Sequence, residues 1–265
     1  MSFGQPELFR SAILFAVAFG AGAINSVAGG GTLLTFPTLV LAGISPIVAN
    51  ATNTVALVPG SASSVWGYRE DIHDSRGEMA LLAVPSLFGG VIGALWVVHT
   101  GDKEFAKLIP WLIFGATALF IIQEPITRYV RRSGAEGADQ PPSGIGRRLG
   151  IAVFQFFVAI YGGFFGAGMG IMMLAALGLM GFARNIHRAN GIKNAAAVCI
   201  NGVAAITFIV EKRVNWPYAG LMAVGAIVGG YGGAGIARKI GQATVRKLIV
   251  VIGVGIGIFM LLHRP

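Results

Sequence analysis

Long apolar runs, separated by short polar or charged segments, dominate the hydrophobicity pattern of this chain. Ten runs can be marked, at 11–29, 31–43, 47–67, 79–99, 105–122, 149–167, 169–181, 186–210, 217–237 and 244–262. A helix needs about 20 residues to cross the hydrocarbon core of a bilayer, and eight of the runs are close to that length. Runs 31–43 and 169–181 are short and directly follow glycine-rich junctions. We therefore predict an all-α polytopic membrane protein with two broken or re-entrant helix pairs.

The composition agrees with this fold class. Hydrophobic residues make up 55% of the 265 residues and charged residues only 12%, which is about half of the share that soluble domains carry. The net charge is +9, but the basic residues fall in short clusters between apolar runs, a pattern typical of cytoplasmic loops rather than of a nucleic-acid surface. The first run resembles a signal peptide, and because many further spans follow we interpret it as the first membrane segment.

The two halves of the chain are related by an internal repeat. A shift of 140 residues aligns seven identical positions among the fifteen of 80–94, and it places Asn190 on Asn50. A polar segment with three prolines separates the halves. We therefore predict a first transmembrane repeat at 1–122, a cytoplasmic linker at 123–148 and a second transmembrane repeat at 149–265.

The number of spans in each half predicts how the repeats lie in the membrane. Each half contains one broken helix pair and three full spans. The pair adds two crossings if it spans the membrane and none if it re-enters, so each half crosses the membrane an odd number of times. The second repeat is then inverted relative to the first. A cytoplasmic linker puts 14 of the 20 basic residues on the cytoplasmic side, as the usual distribution of lysine and arginine requires. Inverted repeats with broken helices are typical of secondary transporters, whose substrates bind near the bilayer midplane.

The two glycine-rich junctions are the first candidate site. A helix that restarts inside the membrane directs unpaired N–H groups and the positive end of its dipole into a polar cavity, where an anion fits. Asparagine, serine and threonine side chains add neutral donors in the first half. The candidate substrate-binding residues are Asn25, Ser26, Gly30, Gly31, Thr32, Gly168 and Gly170. Close packing of helices through small residues is the alternative explanation for these glycines.

The helix after each short run is the second candidate site, because polar residues recur on one of its faces at helical spacings. That face includes Ser61 in the first half and Asn201 in the second. The candidate substrate-binding residues are Asn50, Asn53, Thr54, Asn190, Lys193 and Asn194. Lys193 stands where the first half has Asn53, and two roles remain open for it: contact with an anion, or snorkelling toward the neighbouring basic loop. For the asparagines, hydrogen bonding between helices is the alternative.

Acidic residues are absent from the interiors of the predicted spans. All eleven lie in loops or at span ends, so a carboxylate that binds a cation near the midplane is not expected. The sequence patterns of nucleotide-binding loops, zinc hydrolases and serine hydrolases are also absent. We therefore expect a protein that is not an enzyme and that binds no metal and no cofactor.

Two motifs carry a resemblance to a known family. The segment 22–32 (GAINSVAGGGT) is followed by Pro37, and the segment 49–54 (ANATNT) lies shortly after it. In combination they resemble the TauE/SafE family, also called the toluene sulfonate uptake permeases, and the resemblance extends over nearly the whole chain. It implies a transporter that moves sulfite, sulfoacetate or related sulfonates across a bacterial inner membrane. The second half departs from the motif, with Ala176 near the position of Pro37 and Gly-Ile-Lys at 191–193.

Residue chemistry and resemblance together predict the function. We expect an alternating-access transporter of small sulfur-containing anions, such as sulfite and sulfonates, with export as the favoured direction. An anion channel on the same fold and a membrane partner or sensor subunit without transport remain as alternatives. The expected partners are the anion and the lipid bilayer, without nucleic acid. A homodimer is also compatible with the sequence, since the Gly-Gly-x-x-Gly segments at 89–93 and 229–233 offer faces for packing between protomers.

Overall fold

The described part of the chain is entirely helical, which confirms the predicted fold class. The computed structural model describes residues 7–27, 29–133, 144–178, 186–240 and 242–262, and within these ranges it contains ten helices and no strand. The helices are α1 (Glu7–Val27), α2 (Thr32–Leu41), α3 (Pro46–Gly67), α4 (Arg76–Thr100), α5 (Asp102–Ser133), α6 (Ile145–Phe164), α7 (Met169–Leu177), α8 (Ile186–Val210), α9 (Trp216–Ile240) and α10 (Gln242–Leu262).

These helices correspond one to one with the ten predicted apolar runs. Five segments of the described residues are long and apolar enough to cross a membrane, so the chain is a multi-pass membrane protein. They are Glu7–Ser26, Arg76–Thr100, Asp102–Ile122, Ile145–Phe164 and His187–Val210. Helix α3 has 22 residues, enough for a span, but the polar residues on its buried face lower its mean hydropathy.

The helices extend further into the predicted linker than the apolar runs indicate. Helix α5 continues to Ser133 and α6 begins at Ile145, whereas residues 134–143 lie outside the described residues. An apolar run marks only the part of a helix that fits a membrane, and both helices continue beyond it into the polar segment.

The short helix α2 doubles back along α1. A methyl group placed on Gly31, just before α2, would lie 2.6 Å from the carbonyl oxygen of Ala21 in the last turns of α1. Leu41, at the end of α2, shares a groove with Phe9 at the start of α1. The pair α1–α2 is therefore a helical hairpin, and its re-entry into the membrane stays a prediction.

A glycine in the left-handed conformation stands at the matching position of both junctions. Gly29 has φ +78° and Gly168 has φ +79°, and these two glycines are 139 residues apart, the shift that aligns the two junctions. Residues with a Cβ rarely adopt this left-handed conformation, so the turn explains why glycine stands at both positions.

The helices pack in two groups, and each group contains one helix that comes from the other half of the chain. Helix α9 of the second half packs on α1 and α3, and together with α2 these form group I. Helix α4 of the first half packs on α6 and α8, and together with α7 these form group II. Helices α5 and α10 pack on each other. The pattern is unchanged when the halves are exchanged, as an internal repeat predicts; the inversion relative to the membrane stays a prediction.

The Gly-Gly-x-x-Gly segments serve this packing within one chain. A methyl group on Gly90 would lie 2.7 Å from the carbonyl oxygen of Ile200, and one on Gly89 would lie 2.6 Å from the carbonyl oxygen of Phe156. Gly230, which corresponds to Gly90, faces the backbone of Gly60 in the same way. These glycines therefore let α4 and α9 approach their neighbours closely. A homodimer stays a prediction, and it would have to use a surface other than these glycines.

Candidate functional site

The two junctions meet in the middle of the molecule and enclose a cavity. A methyl group placed on Gly29 of the first junction would lie 2.7 Å from the Cα of Gly170 in the second. The cavity between them is small, with a volume of about 20 Å³, which is room for about one water molecule. Its lining divides between the two helix groups, with Asn25, Gly29, Thr32 and Ser61 from group I and its junction, and Gly166, Met169, Gly170, Met173, Lys193, Asn194, Ala197 and Asn201 from group II and its junction.

The side chain of Asn25 caps the start of α2. Its Oδ1 accepts a hydrogen bond of 2.7 Å from the N–H of Gly31, which is one of the backbone donors that a restarting helix leaves unpaired. The sequence predicted that this N–H faces an anion, and the structure instead pairs it with a side chain six residues earlier. Gly170, which corresponds to Gly31 in the second half, lines the cavity.

Asn53 and two threonines hold α2 against α3. Asn53 Nδ2 lies 3.4 Å from the hydroxyl of Thr32, and the hydroxyl of Thr35 donates to Asn53 Oδ1. All three side chains are buried. Asn53 thus supports a cavity-lining residue and is not itself part of the lining. Sequence analysis did not single out Thr35, although it lies one helical turn after Thr32.

Lys193 points into the protein and not toward the membrane surface. Its side chain is only 1% exposed, and its Nζ donates to the carbonyl oxygens of Asn25 at 2.8 Å and Ser26 at 3.4 Å. The neighbouring Asn194 donates from Nδ2 to the same Ser26 oxygen at 3.2 Å. These carbonyls end α1, where the helix dipole favours a positive charge. The geometry therefore does not fit snorkelling.

No carboxylate neutralises this ammonium among the residues that the structure describes. The ion pairs found there lie in connections and at helix ends: Arg69–Glu70, His73–Asp74, Lys107–Glu104 and Arg188–Glu78. An ammonium has three N–H donors, and the two carbonyls of α1 take two of them. Among the described residues the third donor has no acceptor, and Lys193 lines the cavity.

A neutral contact at the other half mirrors the contact made by Lys193. Asn50 of α3 donates from Nδ2 to the carbonyl oxygen of Phe164, the last residue of α6, at 3.0 Å. In each half, therefore, the third helix binds the C-terminal carbonyls of the first helix of the other half. Thr54 supports Asn50 by donating to its carbonyl oxygen at 2.9 Å.

Five of the thirteen predicted residues line the cavity, namely Asn25, Thr32, Gly170, Lys193 and Asn194. Ser26, Gly31, Asn50, Asn53 and Thr54 form the hydrogen bonds around it. Gly30 faces Phe120 and Gly168 faces Ala116, both on α5. Asn190 is buried, and its Oδ1 has no hydrogen-bond partner among the described residues.

Two polar lining residues had a signal in the sequence that was not used for the site. Ser61 and Asn201 are 140 residues apart, and each lies two helical turns after Asn53 or Lys193, on the same helix face. Met169, Met173 and Ala197 form an apolar side of the cavity, and nothing in their sequence context distinguishes them from ordinary core residues.

The lining has donors suited to an anion. Its described residues offer one ammonium, amides and hydroxyls, and they include no carboxylate. Within the described ranges no cluster of histidine, cysteine, aspartate or glutamate is able to hold a metal ion. Fold and cavity together define a multi-pass membrane protein built from two halves whose broken helices meet at a polar centre, an architecture typical of transporters.

Comparison with known proteins identifies the family. The family model described as "Sulfite exporter TauE/SafE" matches residues 14–260, and the chain belongs to this family of membrane transporters. A "Probable membrane transporter protein" of Haemophilus influenzae is 30% identical over 247 residues, which cover 91% of this chain and 90% of that protein. The "Probable membrane transporter protein YfcA" of Escherichia coli K12 is 30% identical over 241 residues, which cover 91% and 85%. No solved structure matches the chain.

Proposed function

We propose that the protein transports small sulfur-containing anions, sulfite and sulfonates such as sulfoacetate, across the bacterial inner membrane, with export as its direction. The observation that carries the proposal is the buried ammonium of Lys193, which lines the central cavity without a carboxylate partner in the described part of the chain. The name of the matching family supports the choice of sulfur-containing anions.

The chemistry of the cavity favours an oxyanion over a cation. A sulfite or sulfonate group presents three oxygens, and charge-assisted hydrogen bonds to such oxygens are among the strongest that proteins make. Lys193 supplies the charge, while Asn25, Thr32 and Asn194 supply neutral groups. A cation in the same place would meet the ammonium and no opposite charge from the lining residues that the structure describes.

Alternating access fits the position of the cavity between groups I and II. Residues of both groups line it, so a small rotation of one group against the other would open the site toward one side of the membrane and close it toward the other. An anion channel would need a continuous path instead. A partner or sensor subunit would use the same polar residues for packing alone.

Uptake of radiolabelled sulfite into proteoliposomes tests the proposal, with taurine and sulfoacetate as competitors. We expect saturable uptake that Lys193→Asn abolishes, since asparagine is the residue at the corresponding position of the first half. Lys212→Asn is the matched control, because Lys212 is exposed in the connection before α9. Unsaturable flux would favour the channel. Absence of sulfite flux in folded protein would refute sulfite as the substrate.

A further inference from the structure

The two helix groups are joined by a charged contact at the cavity, made by Lys193, and by a neutral contact of Asn50 outside its lining. Lys193 of group II binds the carbonyls of Asn25 and Ser26 in group I, whereas Asn50 of group I binds the carbonyl of Phe164 in group II. The neutral contact shows that joining the groups does not require a charge. Lys193 therefore adds a property that packing alone does not need.

That property is a buried charge whose partners belong to the opposite helix group. The ammonium is fully enclosed, and within the described residues its hydrogen-bond acceptors are the two carbonyl oxygens at the end of α1. A buried ammonium is strongly unfavourable unless it is hydrogen-bonded or paired. The closed arrangement of the two groups satisfies it only as long as α8 stays against α1.

Movement between the groups removes these partners. If group II rotates against group I, the Nζ of Lys193 moves away from the carbonyls of Asn25 and Ser26 while it remains inside the protein. An anion in the cavity reaches the third N–H of the ammonium and travels with it as its counter-ion. The same movement in the empty protein leaves the charge without a partner.

We propose that Lys193 makes the movement between the helix groups conditional on a bound anion, so that the protein exchanges anions across the membrane faster than it releases them to an anion-free side. The proposal rests on the proposed function, because it assumes that an anion enters the cavity. It assigns the protein an exchange mode of transport.

Efflux from proteoliposomes loaded with radiolabelled sulfite tests this. Efflux is measured into buffer with unlabelled sulfite (exchange) and into buffer without it (net release), with potassium and valinomycin holding the membrane potential near zero in both. We expect exchange to be at least about tenfold faster than net release in the wild type, which corresponds to about 1.4 kcal/mol between the barriers of the loaded and empty protein. Equal rates would overturn the proposal and leave the proposed function intact.

Three variants assign the effect to Lys193. Lys193→Arg keeps the charge and is expected to keep exchange faster than net release, even where both are slowed. Lys193→Asn removes the charge and is expected to abolish saturable exchange, so that the residual efflux into the two buffers differs by less than about twofold. Lys212→Asn, the exposed control, is expected to behave as the wild type. A Lys193→Asn protein with the wild-type ratio would overturn the proposal. Absence of efflux under both conditions in the wild type would refute the proposed function itself.

Discussion

Replacing Asn25 by aspartate would place a negative charge at the cavity with almost no change of shape. The carboxylate retains an oxygen to accept the hydrogen bond from Gly31 N–H, which Asn25 Oδ1 accepts at 2.7 Å, so α2 keeps its start. The same residue's carbonyl binds Lys193 Nζ at 2.8 Å, so the new charge lies close to the ammonium. The substitution therefore reverses the electrostatics of the site while it preserves the local fold.

The size of the effect follows from Coulomb's law. Two unit charges about 5 Å apart at an effective dielectric constant of about 20 interact with roughly 3 kcal/mol. A bound anion is repelled by the carboxylate, and the carboxylate also neutralises Lys193. We expect Asn25→Asp to raise the KM for sulfite by roughly 100-fold, because every 1.4 kcal/mol changes an affinity tenfold. Sulfite uptake into proteoliposomes over a range of concentrations measures it.

Asn215→Asp is the matched control for this experiment. Asn215 Oδ1 also accepts a backbone N–H at the start of a helix, from Tyr218 at 3.3 Å, but it lies away from the cavity. We expect the control to transport sulfite with the wild-type KM. A folded Asn25→Asp protein that keeps the wild-type KM would refute the view that the anion binds beside Asn25.

Two further predictions concern stability. Gly90→Ala brings a methyl group within 2.7 Å of the Ile200 carbonyl, so we expect a loss of about 1–3 kcal/mol and a lower thermal midpoint in detergent, whereas Gly115→Ala, in open space, should lose nothing. An unchanged midpoint for Gly90→Ala would contradict the packing of α4 on α8. Thr35→Val leaves Asn53 Oδ1 buried without its hydroxyl donor, so the same assay should show a loss of about 1–3 kcal/mol, and a neutral result would contradict the hydrogen bond.

The architecture was predictable because it depends on patterns that repeat along the chain. The short runs after the glycine junctions predicted α2 and α7, and the repeat shift predicted matching turns at Gly29 and Gly168. The exchange of α4 and α9 between the halves was not predictable, since both are apolar helices with the same glycine motif. Only packing in three dimensions decides which helix such a motif contacts.

The sequence predicted which polar residues form the candidate site better than it predicted their hydrogen-bond partners. Lys193 stood out because a charge in an apolar run is expensive and rare. Its partners could not be identified from sequence, because they are backbone carbonyls of Asn25 and Ser26, and every residue carries such a group. Ser61 and Asn201 were within reach of the repeat pattern, whereas the apolar side of the cavity was not.

Equilibrium binding of radiolabelled sulfite to the purified protein tests the central claim most directly, because it does not depend on the transport cycle. We predict saturable binding to one site per chain in the wild type and in Lys212→Asn, and no saturable binding in folded Lys193→Asn. Binding of equal affinity in the wild type and Lys193→Asn would contradict the claim that this buried ammonium holds the anion.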